Sequence, residues 1–201
     1  TGLEQSNLGG FKGPDQVDDN DAENPVSVAM LNDQHTDATK ILGTVYGELE
    51  IIKGLKYKLL LGIDMTYSDY FAFRPAYDNG DFHNVDYAAI TQNRSNYISP
   101  LITNSLTYDR TFADKHNLNV LGVIEKQTSV STNTNTSSQN SISNVIEQLT
   151  TEALSATSGR SEWALISYLG RVNYDYDGKY LLSASVRRDG SARFGPENKW
   201  G

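Results

Sequence analysis

The sequence contains no cysteine. That excludes disulfide frameworks, cysteine nucleophiles and thiolate metal sites. It also has no run of about 18 or more apolar residues, so no helix of this chain is long and apolar enough to cross a membrane. Basic residues are outnumbered: 17 Lys and Arg stand against 25 Asp and Glu, for a net charge of -8. A phosphate-tracking surface needs a basic stripe, so nucleic acid is not an expected partner. Histidine is scarce. His35, His83 and His116 are isolated, without the His-x-x-x-His spacing of a helical metal site, and no metal is expected. Neither a phosphate-cradling glycine loop nor a nucleophile elbow is present, and no cofactor is expected.

The chain starts at Thr1 without an initiator Met and stops at Trp200-Gly201, just past what reads as a strand end. Both ends are expected to be internal to a longer protein. No signal peptide pattern opens it, which for a piece of a protein says nothing about location. The mean hydropathy of -0.49 suits a soluble protein. A transmembrane β-barrel hides its membrane character, however, because only alternate strand residues face lipid.

What the chain has in plenty is alternation. Tyr, Thr, Val, Ile and Leu fall into six runs that read as strands. The first covers 40–52, with Ile41, Gly43, Val45, Gly47, Leu49 and Ile51 on one face and Thr44, Tyr46, Glu48 and Glu50 on the other. The second, 55–67, has the clearest period of two: Leu55, Tyr57, Leu59, Leu61, Ile63, Met65 and Tyr67 share a face. The third covers 98–112, where Ile102, Leu106, Tyr108 and Phe112 share a face that Asn104 interrupts. The fourth, 117–129, alternates weakly. The fifth and sixth, 163–176 and 179–189, are joined by Asp177-Gly178, a strong hairpin signal. Between the fourth and fifth lies a Ser/Thr/Asn tract, 128–144, that reads as loop. Ile142, Val145, Ile146, Leu149 and Leu154 have the spacing of a short helix within that loop.

The connections decide the architecture. Lys53-Gly54, Ala113 to His116, and Asp177-Gly178 are short turns, while the connections between hairpins run to about 30 residues, lengths uncommon in compact soluble domains. Outer-membrane barrels combine short periplasmic turns with long extracellular loops. Tyr57, Tyr108, Phe112, Tyr174, Tyr176 and Tyr180 lie near short turns on the more apolar face, where an interfacial aromatic girdle would stand. The expected fold is therefore all-β: an antiparallel transmembrane β-barrel segment of about six strands. Residues 1–39 read as an extracellular loop region and 40–201 as a partial barrel with hairpins 40–67, 98–129 and 163–189.

The stretch Glu162 to Gly201 carries Gly170-Arg171-Val172-Asn173-Tyr174, then Lys179-Tyr180-Leu181-Leu182, then Arg187 to Ser191 (Arg-Arg-Asp-Gly-Ser) and Arg193-Phe194-Gly195. In order and spacing it closely resembles the barrel of SusC/RagA-type TonB-linked outer-membrane proteins. Weaker echoes are Asn24-Pro25-Val26, Ile41-Leu42-Gly43 and Lys53 to Tyr57. The resemblance implies a barrel of about 22 strands with a plugged lumen. It implies a place in the cell outer membrane, in contact with lipid, and import of glycans or peptides driven by TonB through an N-terminal part. It also implies a SusD-like surface lipoprotein as lid. The plug domain is expected to be absent from this piece, as is any enzymatic activity. A soluble all-β carbohydrate-binding module is the alternative from another class, and a surface-associated β-domain enzyme is a further one.

Candidate contact residues for substrate or partner are few. The connection after the second strand holds Tyr70, Phe71, Phe73 and Tyr77, with Arg74, Phe82 and Tyr87 nearby, and such rings stack on sugars, meet a partner or pack the loop itself. Arg187 and Arg193 fall in a dense charged cluster with Arg188 and Asp189, readable as an anion contact or as a structural ion-pair network, with the network favoured. Glu48 and Glu50, with Asp64 on the neighbouring strand, read as lumen-facing acids in preference to an acid–base pair. Asp18, Asp19, Asp21 and Glu23 fit no EF-hand spacing and read as a solvated loop.

Overall fold

Alternating apolar and polar residues produce six long antiparallel strands and almost nothing else. The computed structural model describes residues 25–78, 84–195 and 199–201. The acidic run at 18–23, and Phe82 and His83, lie outside the described residues. A short helix, α1 (Pro25–Leu31), precedes β1 (Asp33–Ile52) and β2 (Leu55–Arg74). Two-residue strands β3 (Tyr77–Asp78) and β4 (Asn84–Val85) pair with each other. Then follow β5 (Ala88–Phe112), β6 (His116–Asn140), β7 (Ser155–Tyr176) and β8 (Tyr180–Ser191). The large sheet has the order β1-β2-β5-β6-β7-β8, so each long strand lies beside its neighbour in sequence.

The strands are longer than their alternation suggests. β1 begins at Asp33, seven residues inside the stretch read as loop, and β2 runs to Arg74. The largest difference is the Ser/Thr/Asn tract, which continues β6 to Asn140 instead of forming a loop. Thr is a good strand former, and a segment polar on both faces pairs as well as an alternating one while showing no period. The helix suggested by Ile142 to Leu154 does not form; residues 141–154 are bends and turns. Their backbone is held by side chains instead. Asn140 Oδ1 accepts from the N–H groups of Ile142 and Ser143 at 3.0 and 3.1 Å, and Glu152 accepts from the N–H and hydroxyl of Ser141, both at 3.0 Å.

Residues of these strands fall into two units. Of the described residues, the first comprises 25–39, 67–78, 84–95 and 132–159, and contains the longer connections. Here Phe73, Ala88 and Ile90 form a small buried cluster, with Phe71 and Leu149 packed against it. The Asn144 side chain grips Ala76 as a strand neighbour would, donating to its carbonyl at 2.7 Å and accepting from its N–H at 2.6 Å.

The second unit comprises 40–66, 96–131 and 160–201, and contains all three short turns. At two of them both central residues adopt left-handed backbone: Ala113 (φ 47°) with Asp114 (φ 55°), and Asp177 (φ 55°) with Gly178 (φ 65°). That is the geometry whose twist matches a hairpin. The third turn places Gly54 at φ 87° and passes against β5, where the Asp109 N–H donates to the Gly54 carbonyl at 2.7 Å. Within this unit no apolar side chain of the described residues is fully buried. Leu61, Leu182 and Val186 are 45 %, 65 % and 71 % exposed. A soluble module would bury such residues between two layers.

Two predictions follow from the turns. A Cβ on Gly54 would stand 2.3 Å from the Asp109 carbonyl oxygen, whereas one on Gly178 meets nothing within 4 Å. Gly54→Ala is therefore expected to lower the urea midpoint of the detergent-folded full-length protein well beyond Gly178→Ala, whose cost is the left-handed strain of about 1–2 kcal/mol. Ala113→Gly removes such strain from a non-glycine residue and should raise stability by up to about 1 kcal/mol. A lower midpoint for Ala113→Gly would contradict the turn geometry.

Candidate functional site

The second unit presents two chemically different sheet faces. On the polar face, charges and amides pair strand to strand. Lys40 lies 3.8 Å from Asp64, Lys56 lies 3.8 Å from Glu48, and the Lys58 ammonium sits 4.1 Å from the Tyr46 ring centroid. The three acids therefore do not converge, and Glu50 instead accepts from the Gly54 N–H at 2.9 Å. Farther across the sheet, the Thr103 hydroxyl donates to Glu125 at 2.9 Å. Nearer the turns a hydrogen-bonded row crosses four strands: Asn119 donates to Asp109, Asn173 donates to Asn119 at 3.2 Å, and Ser183 donates to Asn173 at 2.7 Å. This row lies in a groove of about 560 Å³ that Asp175 and Asn117 also line.

The opposite face is apolar, and its polar groups are matched to one another. Asn104, which interrupts the alternation of β5, accepts from the Tyr57 hydroxyl at 2.6 Å. His116 Nδ1 lies 2.6 Å from the Tyr174 hydroxyl, and its ring centroid is 4.9 Å from that of Tyr176. Tyr176 in turn stacks on Tyr180 at 6.3 Å. Rings thus gather at the turns, and Arg110 joins them over Phe112 at 5.2 Å. Counting from the turns, charge first returns to this face at Lys126 on β6 and Arg188 on β8, about ten residues along the strands, which is the distance a tilted strand needs to cross hydrocarbon. At that level Trp200 lies 5.9 Å from Tyr168, and the Arg188 guanidinium lies 4.8 Å from the Trp200 ring. Two levels of amphipathic side chains bounding an uncharged belt are what two membrane interfaces ask of a strand.

Strand parity splits the charged cluster of β8. Arg187 is on the polar face, where its Nε donates to both Asp189 oxygens at 3.0 Å and its Nη2 lies 3.3 Å from the buried Ser167 hydroxyl. Arg188 is on the apolar face. Arg193, past the strand, places its guanidinium 5.4 Å from the Trp163 ring. The sequence shows four charged residues together, and only the facing of each separates their roles.

In the first unit, Phe73 and Tyr77 are both 5 % exposed. Phe71 packs on the same cluster, with its ring 5.1 Å from His35. Tyr70 is half-buried and belongs by alternation to the face of Lys56 and Lys58. A polar cleft of about 360 Å³ is lined by Asp37, Asp69, Gln92, Arg94 and Glu147, beside His35 and Phe71. Sequence reading missed it because its ion pair joins distant segments: Arg94 Nε contacts both Asp69 oxygens at 3.1–3.2 Å. Among the described residues no group of three or more His, Cys, Asp or Glu is arranged to hold a metal ion.

No family model matches the chain. Individual proteins do. It is 29 % identical over 184 residues to TonB-dependent receptor P3 of Formosa agariphila, and 31 % identical over 192 residues to TonB-dependent receptor P39 of the same organism. These matches cover 90 % and 89 % of this chain but 18 % and 17 % of those proteins. A shorter match, 49 % over 37 residues, is to TonB-dependent receptor SusC of Bacteroides thetaiotaomicron. Among solved structures, that of the RagAB peptide transporter superposes with a TM-score of 0.80 at 22 % identity, over 90 % of this chain and 20 % of that one. The same transporter in its open-open state gives 0.79 at 24 % identity. The chain thus spans about a fifth of the receptors it matches along most of its length, and over that span it is similar in sequence to TonB-dependent receptors and has the fold of a β-barrel segment of the RagAB transporter.

Proposed function

We propose that this chain forms part of the wall of a nutrient importer powered by TonB. Its polar face lines an aqueous lumen and its apolar face meets lipid. The observation that carries this is the uncharged belt on one face set against the paired charges and amides of the other, in a sheet where Leu182 and Val186 remain exposed. The same exposure argues against the soluble carbohydrate-binding module. The cargo is an oligosaccharide or a peptide, and the fold shared with a peptide transporter supports the second. TonB acts through other parts of the whole receptor, and a SusD-like lipoprotein covers the extracellular side. Glu48, Glu50 and Asp64 are each engaged separately, which supports a place in the polar wall over a paired acid–base role.

Within the unit that holds the longer connections, Tyr70 is the favoured contact for cargo or lid, because its ring is half-buried and lies on the polar face. Phe71, Phe73 and Tyr77 hold that unit together and shape the contact surface from beneath. Arg187 is tied to Asp189 and sets the wall, while Arg193 over Trp163 offers a cation at the strand end.

The test is uptake of labelled peptides and oligosaccharides by cells lacking the full-length gene. Import is expected to vanish, to return with the wild-type gene, and to require TonB; import that persists would refute the function. Tyr70→Ala should reduce uptake several-fold with normal barrel assembly. Phe73→Ala should instead destabilise the folded protein by about 3–5 kcal/mol, as buried aromatic truncations do.

Facing is tested separately. Ala184 lies opposite Val172 in the middle of the apolar belt, and Ser185 lies opposite Arg171 on the polar face. Ala184→Arg is expected to hinder assembly, at a cost of about 2–4 kcal/mol near the bilayer midplane. Ser185→Glu, placed beside Arg171, should leave assembly intact. Heat-modifiable gel mobility of outer-membrane fractions reads both; equal assembly of the two variants would show that the faces are misassigned.

A further inference from the structure

The apolar face of the second unit is not smooth. A groove of about 560 Å³ runs across it, with Gly122 and Gly170 in its floor and Leu106, Ile124, Tyr168 and Val186 along its sides. Neither glycine is required by the backbone, since only Gly54 and Gly178 among the described glycines have positive φ. Neither is required by packing. A Cβ on Gly122 would meet nothing within 4 Å, and one on Gly170 would meet only a Val186 methyl at 3.6 Å. Glycine inside a strand weakens it, and one that the protein itself does not need marks a place where something else approaches closely. Here the approaching material is bounded by side chains that the membrane, not the protein, covers.

One end of the groove is charged. Arg188 lines it, with its guanidinium against the Trp200 ring. Arg187 next to it is neutralised by Asp189, but no carboxylate among the described residues pairs with Arg188. Trp200 is itself fixed, because its ring lies over Gly190, where a Cβ would stand 2.7 Å from it. A cation without a carboxylate partner among the described residues, held at one interface and opening onto an apolar trough, is complementary to an amphiphile with an anionic head. With the short turns on the periplasmic side, Arg188 lies at the level of the outer leaflet.

We propose that this groove is a binding site for a phosphorylated, multiply acylated outer-leaflet lipid. One acyl chain lies over Gly122 and Gly170, and a headgroup phosphate meets Arg188. A guanidinium is the side chain best suited to a phosphate, through paired charge-assisted hydrogen bonds. The inference rests on the assignment of the apolar face to lipid.

The test uses the full-length protein extracted from outer membranes, washed free of bulk lipid and titrated with lipid A under native mass spectrometry. The wild type is expected to retain a lipid A adduct through the wash. Arg188→Gln should weaken retention about tenfold, the loss expected of one charge-assisted contact, and Arg188→Lys should restore most of it. Gly170→Leu should also weaken retention with the charge intact, by filling the trough. If Gly170→Leu fails to assemble, the exposed Arg188→Gln decides alone. Equal retention by wild type and Arg188→Gln overturns the site, as does a retained glycerophospholipid in place of lipid A. Membrane fractionation of the same samples separates the readings. Protein found in the outer membrane without selective retention sinks the groove only; protein recovered outside that membrane sinks the facing assignment as well.

Discussion

The constraint on which this structure turns is that successive residues of a strand point to opposite faces. When the two faces meet different media, every side chain is assigned to one of them by parity alone, and a slip of one residue would reverse them all. The register Gly170 to Val186, Arg171 to Ser185 and Val172 to Ala184 across β7 and β8 keeps each face of one chemistry. The turns serve that register. Left-handed residues at 113–114 and 177–178 close the hairpins with the twist the strands need, and Gly54 lets a third turn pass against the backbone of β5. Among the described residues of the second unit, no buried apolar side chain enforces this order. The hydrogen-bonded ladder fixes the shape, and the difference between the two media fixes the facing.

The same constraint explains how polar residues are tolerated on the apolar face. A lone amide in hydrocarbon would be costly, by several kcal/mol. Asn104 is not alone, because the hydroxyl of Tyr57 reaches it from the adjoining strand. His116 and Tyr174 match each other in the same way beside the turns. On the polar face the solution differs in kind. Exposed ion pairs such as Lys56 with Glu48 contribute little to stability, about 0–1 kcal/mol. Their effect is to present a polar surface of mixed sign, in which each charge has an opposite one close by.

Legibility in the sequence follows from these media. Where one face is apolar, as from Leu55 to Tyr67, the period of two is plain and the strand, its facing and its turn are all readable. Where both faces are polar, the period disappears. The Thr and Ser residues of 128–140 form strand as readily as loop, and only pairing with β5 and β7 decides. Ile142 to Leu154 has a helical spacing, but its polar groups are bonded outside the segment: the Asn144 side chain pairs with the backbone of Ala76, and the Thr150 N–H donates to the Ser138 hydroxyl at 3.0 Å. The candidate contacts were harder still. Aromatics at 70–77 look alike in sequence, yet Phe73 is buried with Ala88 and Ile90 while Tyr70 is not. Burial in that unit depends on contacts between segments far apart in the chain, which no local pattern records. The pair Arg94 and Asp69 is invisible for the same reason.

The edges of the sheet show why this wall has meaning only within a larger one. On the free side of β8, the backbone of Asp189 and Ser191 is already paired with the returning segment 199–201, through bonds of 2.8–3.0 Å. From Tyr180 to Arg188 that side has no partner strand among the described residues, and the outer side of β1 has none either. In water such edges are tolerable. In hydrocarbon each unmade backbone bond costs several kcal/mol, so a sheet with an apolar belt and open edges is stable in a bilayer only when flanking strands close it. The pairing of Gly201 with Asp189 extends the sheet on this side of β8. It also fixes Trp200 over Gly190, so the bond that extends the sheet and the ring that anchors it at the interface are set by the same three residues.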